Sequence, residues 1–562
     1  MTLNEFKKLI GDVVQDKLGG EVDLQKLDVS RAADPKHGDI ATNAAMVYAK
    51  DAGRVPRELA EELAAELSER LRGQAEKVAV AGPGFINITL SSGAFAEQVL
   101  GAVRTKPQDY AGQTVVAEYS DPNPFKVLHA GHVYTTVVGD AIARLLEAGG
   151  AKVHRVNFGG DVGLHVGKTM WAILRELGGE NPDNLAGTPT PHAEWLAKNY
   201  IIGNAAYEDD EVAKMQITEL NKRVYQIHTD DDHDSSFARI YWTCREWSYE
   251  AFDAFYARMG TKVEKYYPES ETSGPGLKAV KAHIGPVFEK SDGAVVFKGE
   301  SYGLHTRVFI NRQGLPTYEA KDVGLIIKKY EDYHFDRSVI VTANEQQEYM
   351  AVVLKAIEQF LPDLAHATTY ISHGMLKLVG GEKMSSRKGN IIRATAVLDE
   401  TAEAIVAAGR KADDAVVLGA IRYAFLKSRI GGDIIYNPAE SISLEGNSGP
   451  YLQYAHARAR SILAKVKGKP AEQLEQLDAA EHTLGRKIAE YPDVLQQAVD
   501  ELMPHFVCTY LYELAQTFNR FYEVSRVVGD PRQDIRLKLV ELYADVLRDG
   551  ISLLGIVAPD RL

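Results

Sequence analysis

The feature that most constrains this chain is the turn Lys126-Val127-Leu128-His129-Ala130-Gly131-His132, read with the segments on either side of it. Upstream, Thr114-Val115-Val116-Ala117-Glu118-Tyr119 is a short β-branched run that reads as a buried strand. Downstream, Val133, Val137, Val138, Ala141, Ile142, Leu145 and Leu146 recur at helical spacing until Gly149-Gly150 stops them. Val153-His154-Arg155-Val156-Asn157-Phe158 supplies another strand, which completes a βαβ unit and so a piece of parallel sheet. The His-x-Gly-His turn falls where a parallel strand meets a helix amino end, the place such sheets bind nucleotides. Exposed N–H groups and the helix dipole favour a phosphate there. Gly131 lets the backbone come close, and two imidazoles can donate hydrogen bonds. The bland alternative is two surface histidines on a helix cap.

A second stretch, Lys383-Met384-Ser385-Ser386-Arg387-Lys388-Gly389-Asn390, follows the strand-like Thr368-Thr369-Tyr370-Ile371-Ser372. Its cations and hydroxyls beside a glycine suit the gripping of a polyphosphate, although alone such a stretch is more often a solvated charged loop. Gly163-Leu164-His165-Val166-Gly167-Lys168-Thr169 is a decoy. A P-loop needs four residues between its glycines, and here Val162 stands where the first glycine should be. Without that glycine the phosphate cradle is lost.

At 562 residues the chain should hold three or four domains. No apolar stretch approaches a membrane span, and the start is a polar amphipathic helix pattern rather than a signal peptide. Cys244 and Cys508 are the only cysteines, which excludes a disulfide framework and a cysteine zinc site and fits a reducing cytoplasm. A net charge of −14 argues against non-specific nucleic-acid attraction. It does not exclude a local basic face on an acidic body. Residues 411–470 carry nine Lys and Arg against five Asp and Glu, which is weak support for such a face.

The expected architecture is multidomain α/β. Residues 1–110 mix amphipathic helices with an alternating strand turned at Gly82-Pro83-Gly84, and form an α+β unit. A Rossmann-like parallel-sheet domain spans 111–400, interrupted by an insertion over about 169–305 that includes a loop-like tract from Ser270 to Gly276. The sheet is expected to resume with Leu304–Ile310 and continue through Val339-Ile340-Val341 to the strand before Lys383, with a helix after Gln346. A connecting helical segment covers 401–445. From Ala415 onward every periodic segment reads as helical, so 446–562 is an all-α domain.

The two phosphate-suited stretches together resemble the paired ATP motifs of class I aminoacyl-tRNA synthetases, and the resemblance sharpens to the arginyl-tRNA synthetases. It covers nearly the whole chain. Glu118-Tyr119-Ser120-Asp121-Pro122-Asn123-Pro124, Arg155–Gly163, Tyr302–Phe309 and Leu315-Pro316-Thr317-Tyr318-Glu319-Ala320-Lys321-Asp322 are similar to that family's sheet segments. Gly446–Arg458 resembles the opening of its anticodon-binding domain, and Asp545–Arg548 and Ala558–Leu562 also fit. His37-Gly38-Asp39 with Asn43, and Gly82–Asn87, resemble its N-terminal tRNA-elbow domain.

The resemblance implies an arginine–tRNA ligase that uses ATP with Mg²⁺ to form arginyl-adenylate and then charges tRNA(Arg). It implies that tRNA binds before arginine is activated, and that no proofreading site exists. His129, Gly131 and His132, with Lys383, Met384, Ser385, Ser386 and Lys388, would bind ATP, and His129, His132 and Lys383 would be catalytic. A guanidinium is a planar fork of donors that is never neutral, so its pocket wants acceptors and negative charge. By resemblance, Tyr318 and Asp322, four apart on one helical face, meet it, with Glu118 as a candidate second carboxylate. Asn123 and Gln346 would hold the α-ammonium, with Gln347 the alternative to Gln346. Asp121 and Pro122 would line that strand end, and His132 would lie near the carboxylate. Phe85, Asn87, Tyr454 and Arg458 would meet tRNA. No resident metal site and no membrane contact are expected, and the protein is expected to be a cytoplasmic monomer. Two positions depart from the family pattern. Ser386 stands where lysine is usual, and His165 where glutamine is. Lys126 is either the compensating cation or a solvated lysine.

Overall fold

The computed structural model describes residues 1–32, 34–378, 392–466 and 468–561. The N-terminal unit begins with the helix Leu3–Leu18, closed at its start by a reciprocal Thr2–Glu5 capping box. That helix and Pro56–Arg70 pack on an antiparallel sheet of β1 (Val29–Arg31), β2 (Ile40–Thr42), β3 (Ala75–Ala81) and β4 (Phe85–Leu90), in the order β1-β2-β4-β3. Residues 82–84 form the β3–β4 turn.

The central sheet is parallel, in the order β12-β11-β5-β6-β7. Its strands β5 (Thr114–Tyr119), β6 (Lys152–Gly159) and β7 (Lys265–Pro268) precede a separate antiparallel sheet of β8 (Glu289–Ser291), β9 (Ala294–Phe297) and β10 (Arg307–Ile310). Strands β11 (Arg337–Ala343) and β12 (Thr368–His373) complete the parallel sheet on the other side of β5. Val115, Val116, Val339 and Val341 are buried, as expected of strands covered on both faces. The helix Ala130–Ala148 crosses from β5 to β6, packing on β5 and on the C-terminal helices. Short strands β13 (Leu376–Leu378) and β14 (Ile434–Tyr436) pair in parallel.

Four expectations are corrected here. The segment 169–305 does not lie wholly outside the sheet, because β7 comes from within it and pairs with β6. The tract Ser270–Gly276 is helical, inside Glu269–Ala282, despite Pro275. Its small residues are a contact face: a Cβ on Gly276 would stand 1.8 Å from the Ala320 carbonyl oxygen, and one on Gly324 would stand 2.0 Å from that of Thr272. The helices Glu269–Ala282 and Tyr318–Tyr333 therefore meet backbone to backbone. Finally, β10 pairs antiparallel with β9 instead of resuming the parallel sheet, which restarts only at β11. The region after Ala415 also holds one strand, β14, among its helices.

The N-terminal unit docks on the C-terminal helices. The Arg31 guanidinium donates to Asp493 at 2.8 Å and to the Ala489 carbonyl at 3.0 Å, and Phe95 stacks on His482 at 4.2 Å. One hydrophobic cluster runs from Phe6 and Leu63 through Val138 and Leu145 to Leu511 and Leu547. A buried ion pair ties the helix Ala130–Ala148 to the helix Asp414–Leu426. Arg422 donates to Asp140 of Ala130–Ala148 at 2.9 Å, to the Leu554 carbonyl at 3.2 Å and to the Met259 carbonyl at 2.6 Å. Among the described residues no helix is long and apolar enough to cross a membrane.

Candidate active site

Strand β5 ends in a sharp turn. Ser120, Asp121 and Phe125 hold left-handed backbones at φ 77°, 49° and 65°, a conformation that costs non-glycine residues energy and must be held by neighbours. The neighbours are at the end of β6, where Asp121 Oδ1 accepts from the Phe158 N–H at 2.8 Å and Asn123 Oδ1 from the Gly160 N–H at 2.7 Å. The strand ends are thus stitched side by side, and a cavity of about 750 Å³ opens beyond them.

Lining the cavity are His129, Gly131 and His132, at the start of Ala130–Ala148. The imidazole centroids are 3.9 Å apart, and His132 Nδ1 accepts from the His129 backbone N–H at 3.1 Å. The proton of neutral His132 is therefore on Nε2, free to be donated. A Cβ on Gly131 would stand 2.9 Å from the His129 ring, so glycine is what lets that ring lie against the first turn of the helix. Burial pushes His129 down to about 4 and His132 well below the usual imidazole range, with Lys126 adding to both. At neutral pH both are neutral donors. Lys126 also lines the cavity, its ammonium 5.5 Å from the centre of the Tyr200 ring, and burial pushes its pKa down. It is not a solvated lysine. His165 donates from Nε2 to the Gly160 carbonyl at 2.7 Å, and burial pushes it down to about 3.

The lining also carries carboxyl groups. Glu118, buried on β5, accepts from Lys329 Nζ at 2.6 Å, so its charge is already neutralised. Asp322 is different. Its bond is from the Tyr349 hydroxyl, and burial, with Glu118 and Glu269 adding, pushes its carboxyl up to about 8. Asp121 is likewise raised well above the carboxylate range by burial and by Glu118. A buried Glu269–Lys321 ion pair stands in the same wall. Tyr318 is exposed at the mouth, with Lys321 Nζ 5.2 Å from its ring centre.

The sequence-expected residues Glu118, Asp121, Asn123, His129, Gly131, His132, Tyr318, Asp322 and Gln346 thus line one cavity. Gln347 does not line it, and its Oε1 accepts from Ser372 at 3.4 Å. Pro122 sits between two lining residues without lining the cavity itself. The decoy lysine, Lys168, donates to Asn204 at 2.9 Å and lies over Tyr207. Lys383, Met384, Ser385, Ser386 and Lys388 fall outside the described residues. Phe85 and Asn87 are two apart on β4, the first exposed and the second half-buried, and belong to a different unit from Tyr454 and Arg458. Those two lie one turn apart on Gly449–Lys465, with Arg458 4.8 Å from the Tyr522 ring centre. Sequence reasoning missed Glu269, Arg307, Tyr349 and His373, all on the cavity wall. Glu269 follows β7 directly and was findable only with that strand recognised, since sites gather at the carboxyl ends of parallel strands. Tyr349 lies three residues beyond Gln346, a helical neighbour of an expected residue.

Residues 96–437 match the family described as tRNA synthetases class I (R), catalytic domain. Residues 4–90 match the arginyl tRNA synthetase N terminal domain, and residues 452–562 the DALR anticodon binding domain. The chain belongs to the arginyl-tRNA synthetases. Arginine–tRNA ligase from Bacteroides fragilis is 30% identical over 89% of this chain and 91% of its own length. That from Treponema pallidum is 28% identical over 95% of this chain and 94% of its own. The fold is that of the Thermus thermophilus arginyl-tRNA synthetase structure, with a TM-score of 0.81 at 24% identity over 100% of both chains.

Proposed function

We propose that this cavity joins L-arginine to ATP as arginyl-adenylate and passes the arginyl group to the 3′-terminal adenosine of tRNA(Arg). The observation that carries the reading is one cavity lined both by neutral imidazole donors at a helix start and by Asp322, a buried carboxyl. The guanidinium goes to Asp322 and Tyr318, because Glu118 already has Lys329 as its partner. Asn123 and Gln346 take the α-ammonium. The arginine carboxylate then faces His132 and attacks the α-phosphorus. One carboxylate oxygen forms a P–O bond, the bond to the bridging oxygen breaks, and pyrophosphate leaves with the electron pair. In the second step a ribose hydroxyl of the tRNA attacks the arginyl carbonyl and AMP leaves. No covalent enzyme intermediate is needed.

Catalysis here is placement plus stabilisation of developing phosphate charge, the latter usually the largest single contribution. His129 and His132 donate to the phosphates, and Lys383 and Ser385 are further phosphate-binding residues. Lys126 supplies the cation that Ser386 lacks, a role its burial three residues before His129 supports. Mg²⁺ accompanies ATP as its counter-ion. Among the described residues no group of three or more His, Cys, Asp or Glu side chains converges to hold a metal. Phe85 and Asn87 meet the tRNA elbow, while Tyr454 and Arg458 meet the anticodon. A cytoplasmic monomer suffices for all of this. Pyrophosphate exchange with each of the twenty amino acids, with and without tRNA, tests the reading. Exchange with arginine alone among the twenty, and only when tRNA is present, is expected; exchange driven by another amino acid would overturn it.

A further inference from the structure

One buried imidazole on the cavity wall is not used by the chemistry above. His373, at the end of β12, is 2% exposed and lines the cavity beside Gly374, Met375 and Leu376. Its Nδ1 lies 2.7 Å from the Gly374 carbonyl oxygen. A carbonyl only accepts, so Nδ1 carries the ring proton. Burial favours the neutral ring, which leaves Nε2 as a bare acceptor. The Thr135 hydroxyl stands 2.8 Å from it. That hydroxyl also lies 3.0 Å from the Gly131 carbonyl oxygen, but it has one proton, and the imidazole nitrogen is the nearer acceptor. The Tyr134 ring, 4.5 Å away, packs on the same imidazole. His373 is thereby bonded to the second turn of the helix whose first turn carries His129 and His132.

Its other neighbour is the ledge Gly374–Leu376. A Cβ on Gly374 would stand 2.1 Å from the Gly432 carbonyl oxygen, so the ledge lies hard against that backbone. The Met375 N–H donates to Asp433 at 2.8 Å, the Met375 carbonyl accepts from Ile434 at 2.9 Å, and β13 pairs with β14. The ledge leads into β13, which ends five residues before Lys383 in the sequence. Two walls of the cavity, one on a helix and one on a strand from elsewhere in the chain, are joined by one imidazole and one hydroxyl.

We propose that His373 is a positioning residue for ATP: through Thr135 it sets the spacing between the ledge Gly374–Leu376 and the helix turn bearing His129 and His132. The inference rests on reading the cavity as the nucleotide site. A displacement of about 1 Å at such a site can cost about a hundredfold in rate, so a spacer matters even without touching the reacting atoms. Thr135→Val keeps the shape and removes the hydroxyl, Thr135→Ser keeps the hydroxyl, and His373→Phe keeps a ring against Tyr134 but removes both nitrogens. Arginine- and tRNA-dependent pyrophosphate exchange is measured for each, with Tm alongside. Thr135→Val and His373→Phe should each lose about tenfold in kcat/KM for ATP, with the KM for arginine within about twofold of normal. Thr135→Ser should behave as wild type, and the double variant Thr135→Val/His373→Phe should be no worse than either single. Three results would overturn the proposal: an unchanged kcat/KM for ATP in Thr135→Val, losses that multiply in the double variant, or a lower Tm without any change in ATP parameters. Absence of exchange in the wild-type enzyme would instead strike the function itself.

Discussion

At the scale of single residues the arginine end of the cavity is a balance of protons. Glu118 is neutralised by Lys329, whereas Asp322 holds its proton below about pH 8 in the empty pocket. A guanidinium contacts the ionised carboxylate, so arginine binding must expel that proton. Apparent arginine affinity should therefore rise with pH toward 8, by up to about tenfold per unit at the limiting slope, and then level off. Calorimetry between pH 6 and 8 in buffers of different ionisation enthalpy would show the released proton. Asp322→Asn should abolish the slope and strongly raise the KM for arginine while leaving that for ATP nearly unchanged, because an amide N–H would face the guanidinium donors. The same raised pKa has a stability sign. A carboxyl raised above its unfolded value of about 3.9 stabilises the fold less and less as pH climbs toward its folded pKa. The apoprotein should lose stability between pH 4 and 8, and Asp322→Asn should flatten that decline. At the phosphate end, His132→Ala should cost about 10² to 10³ in exchange rate, the usual effect of removing one charge-stabilising donor. Its tRNA affinity, measured by filter binding, should stay near normal, and near-normal turnover would contradict the phosphate role.

At the scale of elements, the helix that presents Tyr318 and Asp322 is held by a glycine crossing. A methyl at Gly276 or Gly324 would meet a carbonyl oxygen at 1.8 or 2.0 Å, so the helices Glu269–Ala282 and Tyr318–Tyr333 would have to part. Gly276→Ala and Gly324→Ala should each destabilise by about 1–3 kcal/mol, the usual cost of overpacking, and should raise the KM for arginine. A lowered Tm with an unchanged arginine KM would detach that helix from the substrate. This crossing also shows why part of the molecule was hidden in the sequence. Gly, Ser and Pro between residues 270 and 276 read as a loop by local rules, yet their smallness serves a contact whose partner lies some fifty residues away. The same limit hid β7, a four-residue edge strand given its register by β6, and with it Glu269. It also misdirected β10, since alternation identifies a strand but not its neighbour. By contrast β5, β6 and the helix between them were legible, because burial on both faces and a glycine stop are local signals. So were His129, Gly131 and His132 at the helix start, whereas Glu118, Asp121, Asn123, Tyr318, Asp322 and Gln346 were reached only through the family resemblance, because no local signal assigns them to one cavity.

At the scale of the molecule, the units do not fold apart from one another. The C-terminal helices share a hydrophobic cluster with Ala130–Ala148, and Arg422 ties that helix at Asp140 to the carbonyls of Met259 and Leu554. Removing residues from Gly446 onward would take the Leu554 acceptor, leave apolar surface of the catalytic helix in water, and uncover the face on which the N-terminal unit docks. The truncated chain should lose arginylation by losing its fold, visible as a collapsed Tm, so truncation does not isolate the anticodon contact. Point variants do. Tyr454 is exposed, and Arg458 is half-buried one turn further on with its guanidinium over the Tyr522 ring. Tyr454→Ala with Arg458→Ala should keep the circular dichroism spectrum while weakening tRNA binding. If Arg458 meets a phosphate, the slope of log affinity against log salt should fall by about one with its removal. An acidic chain of net charge −14 gives little non-specific attraction, so the wild-type salt slope should come from a few such local cations. An unchanged slope in the double variant would move the anticodon surface away from the helix Gly449–Lys465.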